Sequence, residues 1–109
     1  MSLELPPPVA AYFAADAAHD PDAVARSFAA DGAVRDEGET HAGADAIRAW
    51  WRDARAQYRF ENEPLDATTE DGRTIVRARV TGDFPGSPAT LRFVFDLAET
   101  GIRRLEIGA

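Results

Sequence analysis

The residue best placed to do chemistry is an acid, Asp36. In Ala33-Val34-Arg35-Asp36-Glu37, a period of two puts Asp36 on the face of Val34 and turns Arg35 and Glu37 the other way. A carboxylate walled by apolar side chains is harder to ionise than one in water, and such groups can shuttle protons. The plainer reading is a strand-end carboxylate that is solvated or paired with an arginine. His41 lies in a polar stretch, Thr40-His41, where it could relay protons at a pocket mouth. His19 stands at a helix end, where the dipole alone accounts for it. Two histidines in such unlike settings make no cluster with metal-ligand spacing, so no metal is expected.

Composition removes several other chemistries. All 12 basic residues are arginine. Without lysine there is neither a Schiff base nor a phosphate loop of the Gly-Lys-Ser/Thr type. Cysteine is absent, which excludes thiol nucleophiles, disulfides and thiolate metal sites. A net charge of −7 argues against nucleic acid and anionic membranes as partners. The start of the chain lacks the pattern of a signal peptide and no stretch is long and apolar enough to span a bilayer, so the expected location is cytoplasmic.

Around Asp36 the sequence predicts an α+β order in a single domain over 1–109, with Met1–Pro6 a short tether. Pro8 can sit in the first turn of a helix running to about His19, with Val9 and Phe13 one turn apart and Tyr12 beside them. A helical tyrosine there can be a core residue whose hydroxyl reaches water or a carbonyl. Asp20-Pro21-Asp22 signals a second helix, with Val24 and Phe28 on its buried face and Gly32 as its stop. After the Asp36 strand and a loop between Gly38 and Gly43, a third helix carries Ile47, Trp50, Trp51 and Ala54 as an apolar stripe. Phe28 and Trp51 suit aromatic pocket walls as well as core positions.

From Tyr58 the period changes to two. Pro64 marks a bulge or an edge, and Glu70-Asp71-Gly72 marks a hairpin. Thr74, Val76, Ala78 and Val80 form one face, with Arg77 and Arg79 on the other beside acids such as Asp83 and Asp96. Ala89, Leu91, Phe93, Phe95 and Leu97 form the clearest inward face, and Ile102 to Ile107 the last strand.

This order, together with Tyr12-Phe13-Ala14-Ala15, Phe28-Ala29-Ala30-Asp31-Gly32-Ala33-Val34-Arg35-Asp36 and Gly43-Ala44-Asp45-Ala46-Ile47-Arg48, resembles the nuclear transport factor 2-like superfamily in its SnoaL-like and ketosteroid-isomerase-like branch. The resemblance implies a cone: a curved antiparallel sheet wrapped around three N-terminal helices and a deep apolar pocket, in a homodimer through the sheet. It puts Asp36 at the place of the general base and Tyr12 at that of the oxyanion donor. It favours Trp51 as the pocket-side tryptophan, with Phe28, Leu91, Phe93 and His41 around the ligand. Where the isomerase relatives carry a second, acidic donor, two residues before Phe93, this chain has Leu91, and one donor stabilises an enolate less than two.

Two functions follow. In one, a cofactor-independent isomerase or cyclase uses Asp36 to take a proton next to a carbonyl of a small apolar or polycyclic substrate. In the other, the same pocket binds a small apolar molecule, or the fold serves as a dimerisation unit, without turnover.

Overall fold

The computed structural model describes residues 4–108. Of the expected tether, Met1 to Leu3 lie outside the described residues, while Leu5 packs against the core. Helix α1 (Pro7–Ala17) starts with prolines in its first turn, and the Pro6 carbonyl accepts from the Ala10 N–H at 2.9 Å. Its buried face is Val9, Tyr12, Phe13 and Asp16, the i, i+3, i+4, i+7 stripe of an amphipathic helix with a carboxylate in the last place. The helix closes on His19, whose φ of 55° lets the Asp20 N–H reach the Ala15 carbonyl and its own N–H reach that of Asp16.

Helix α2 (Pro21–Arg26) is capped as its sequence predicts, with Asp20 Oδ1 accepting from the Ala23 N–H at 3.1 Å. It ends earlier than the sequence suggests. Ser27 turns its hydroxyl back onto the Val24 carbonyl at 2.6 Å, and Phe28 already belongs to strand β1 (Phe28–Asp36). Gly32 is therefore no helix cap. It lies within an irregular stretch of β1, where a Cβ would meet the Ile102 carbonyl oxygen at 2.7 Å. The expected Gly38–Gly43 loop is likewise a strand, β2 (Glu39–Ala42), joined to β1 by a tight turn with positive φ at Glu37 and Gly38.

Helix α3 (Ala44–Gln57) follows, and strands β3 (Phe60–Glu70), β4 (Arg73–Gly82), β5 (Ala89–Ala98) and β6 (Gly101–Gly108) complete a curved, open six-stranded sheet of order β2-β1-β6-β5-β4-β3. Neighbours run antiparallel except β1 and β6, which are parallel. The β3–β4 register shifts at Pro64, and Asp71 and Gly72 form the predicted turn with positive φ.

The inner face presents Val76, Ala78, Phe93, Phe95, Ile102 and Leu105, all buried, to the α1 stripe and to Ile47 and Trp51 of α3. Each of these side chains larger than alanine contributes about 1.5–3 kcal/mol when taken out of water. Tyr12 sits at the centre, 1% exposed, with the rings of Phe13, Phe28 and Phe95 edge-on at 5.2, 6.2 and 5.6 Å. On the outer face, Arg77 pairs with Asp66 and Arg79 with Glu63, because β3 lies beside β4; the expected partners Asp83 and Asp96 are not the ones used. The Arg77 guanidinium holds the Asp66 carboxyl below the usual carboxylate range. No helix among the described residues is long and apolar enough to cross a membrane.

Candidate active site

A cavity of about 630 Å³ opens between α3, the β1–β2 turn and the inner face of the sheet. Tyr12, Asp36, His41, Trp51, Leu91 and Phe93 all line it, so six of the seven residues singled out from sequence share one space. Phe28 is not among the lining residues; it is core, packed behind Tyr12. A second concavity of about 550 Å³ lies across the sheet, where Arg35, Arg73 and Arg92 alternate with Glu70 and Glu106. It lacks the aromatic wall of the first.

Asp36 ends β1, half-buried, with its Oδ2 accepting from the indole N–H of Trp50 at 3.1 Å. Trp50 is thus as much a pocket residue as Trp51, and the His41 ring lies 6.4 Å from it. Adjacent positions on a helix diverge by about 100°, so the two indoles leave α3 in different directions. That of Trp51 turns inward, its N–H donating to Asp16 Oδ1 at 2.9 Å.

Asp16 is the main residue that sequence reasoning missed. Its side chain is 2% exposed and receives three donors: Trp51, Arg55 and, at 3.0 Å, the amide of Asn62. These come from α3 and β3 and tie both elements to α1. The signal was present in the spacing: a carboxylate in the fourth place of a buried helical stripe needs partners, and Trp51 and Arg55 stand one turn apart on a single helix. The Arg55 guanidinium is also stacked on aromatic faces, 3.8 Å from the Phe60 ring centre and 4.6 Å from that of Trp51. Two buried atoms of this network, Arg55 Nε and Asn62 Oδ1, have no protein partner among the described residues.

Burial pushes the Tyr12 phenol well above the usual tyrosine value; Asp16 and Asp36 add to the rise and Arg55 opposes it. At neutral pH the phenol stays protonated, so its hydroxyl can donate a hydrogen bond. The Asp36 carboxylate and the Tyr12 phenol thus belong to residues that line the same volume. Among the described residues no three His, Cys, Asp or Glu side chains cluster tightly enough to hold a metal ion.

Residues 9–102 match the SnoaL-like domain. The protein belongs to the SnoaL-like family. Among solved structures, this SnoaL-like chain is 45% identical to the "putative polyketide cyclase" SMa1630 of Sinorhizobium meliloti, with a TM-score of 0.90 over 94% of each chain. It is 22% identical to a protein with a ketosteroid isomerase-like fold from Catenulispora acidiphila, solved in complex with trimethylamine, with a TM-score of 0.83 over 97% of this chain and 87% of that one. A cystatin-fold protein from Novosphingobium aromaticivorans is 21% identical, with a TM-score of 0.76 over 94% of this chain and 96% of that one. No curated protein matches the SnoaL-like sequence.

Proposed function

We propose that this SnoaL-like domain is a cofactor-independent isomerase or cyclase acting next to a carbonyl group of a small apolar or polycyclic substrate. Asp36 takes a proton from the carbon α to the carbonyl; the C–H electron pair becomes the new C=C bond and the carbonyl π pair moves to oxygen, giving an enolate. The Tyr12 hydroxyl donates a hydrogen bond to that oxygen. The protonated Asp36 then returns its proton to another carbon, which is isomerisation. Alternatively the enolate carbon attacks a second carbonyl and the new alkoxide takes the proton, which is cyclisation.

The observation that carries this reading is the shared cavity: Asp36 and Tyr12 line one aromatic-walled space. Likeness at 45% identity to a protein described as a "putative polyketide cyclase" supports it. Leu91 favours a second reading, ligand binding without turnover, since it puts an apolar side chain where a second oxyanion donor would stand. In either reading the protein acts as a homodimer through its sheet in the cytoplasm.

The test is enone formation from a β,γ-unsaturated ketosteroid and ring closure of a linear poly-β-ketone, followed by absorbance, in the wild type and in Asp36→Asn. Turnover lost in that variant, with circular dichroism unchanged, supports the base. Turnover retained would clear Asp36, and no turnover in the wild type would leave ligand binding as the function.

A further inference from the structure

We infer that the cavity is built for a ligand carrying a positive charge, an amine or quaternary ammonium group on an apolar body, and against carboxylate ligands. This rests on the pocket reading above and adds the charge of its occupant.

Four carboxylates line the cavity: Asp36, Glu37, Glu39 and Asp53. None is in an ion pair among the described residues, and Asp36 has a single neutral donor, the Trp50 indole. The opposing charges are few. Arg55, the arginine on the wall, is already committed to the buried Asp16, and His41 is the other basic group. The mouth is thus strongly negative within a chain of net charge −7, a field that draws cations in and repels anions.

The walls suit the same guest. Trp50, Phe60 and Phe84 present aromatic rings to the space, and ring faces attract ammonium and guanidinium groups. The protein already uses this wall in that way, since Arg55 lies 3.8 Å from the Phe60 ring centre. A separate observation points to an occupant. Asn62 lines the cavity too, and its buried Oδ1 has no protein partner among the described residues, so an acceptor is left for a donor group of the guest. The carbonyl end of a guest would meet Tyr12 at the floor, and its cationic end the acids of the rim.

The experiment uses three probes of near-equal shape: 2-phenylethylammonium, 2-phenylethanol and 3-phenylpropanoate. They are titrated into the full ¹⁵N-labelled chain at pH 8 and low salt, following the indole N–H signals of its two tryptophans. The ammonium probe should bind about tenfold more tightly than the alcohol, the gap narrowing in 0.5 M salt, and the carboxylate should shift neither signal. In the double variant Glu39→Gln, Asp53→Asn, both at exposed positions, the ammonium probe should fall to within about twofold of the alcohol while the alcohol is unchanged. Equal binding of ammonium and alcohol in the wild type, or tighter binding of the carboxylate, would overturn the charge preference and leave the pocket reading standing. If no probe moves either signal, both are lost.

Discussion

Trp50 and Asp36 are joined by one hydrogen bond of 3.1 Å, indole Nε1 to carboxylate Oδ2, which links the middle of α3 to the end of β1. A single neutral donor orients a carboxylate without the full charge compensation that an arginine would bring. Among the described residues no ion pair engages Asp36, so the Trp50 indole is the group that orients its carboxylate.

That link can be read directly. In Asp36→Asn the indole N–H signal of Trp50 should shift, because its acceptor changes from carboxylate to amide, while that of Trp51 stays in place on Asp16. Trp50→Phe should cost little stability, about 1 kcal/mol by chemical denaturation, since its partner is half-buried and can turn to water. A shift at Trp51 instead would mean that the two indoles serve the opposite carboxylates.

Asp16 holds the frame rather than the chemistry. Asp16→Ala leaves Arg55 with a buried charge and strips the acceptor from Trp51 and Asn62, a loss of about 3–5 kcal/mol. The melting temperature should drop by more than about 10 °C. By contrast, Asp66→Asn on the exposed outer face should leave it nearly unchanged. Calorimetry on the two variants makes the comparison, and near-equal melting points would refute the buried network.

The raised ionisation of Tyr12 predicts behaviour in alkali. The folded state keeps this phenol protonated where an unfolded chain would release the proton, so its contribution is complete below the ordinary tyrosine value of about 10 and is lost as pH rises toward the folded value. Tyr58 is the second of the two tyrosines, so Tyr58→Phe isolates the signal. Absorbance at 295 nm should then stay flat through pH 10 and rise only together with loss of the circular dichroism signal. A tyrosinate band appearing in the folded protein near pH 10 would contradict the burial.

The period-two runs of Thr74 to Val80 and Leu91 to Leu97 made the sheet legible, because a half-buried strand must alternate. The capping of α2 by Asp20 could be read as well, for Asp-Pro-Asp has one strong structural use. The end of α2 could not. Val24 and Phe28 have helical spacing, and only the pairing of Phe28 with Ile102 turns that spacing into a strand. Tyr12 and Asp36, which both line the cavity, were singled out through local pattern joined to resemblance. Asp16, Arg55 and Asn62 were missed because their meaning is a three-body contact among α1, α3 and β3, and no window of one element contains it.

The parallel seam that begins at Phe28 and Ile102 joins strands far apart in the chain. Strand β6 lies between β1 and β5, so the hairpin β1–β2 and the meander β3–β4–β5 are separate pieces until β6 arrives. Closure over so long a loop is entropically slow, and during it one edge of β1 stays open to other chains. Clipping Gly101–Gly108 would not trim a border; it would cut the sheet through its middle and leave its two parts joined only through the helices packed across them.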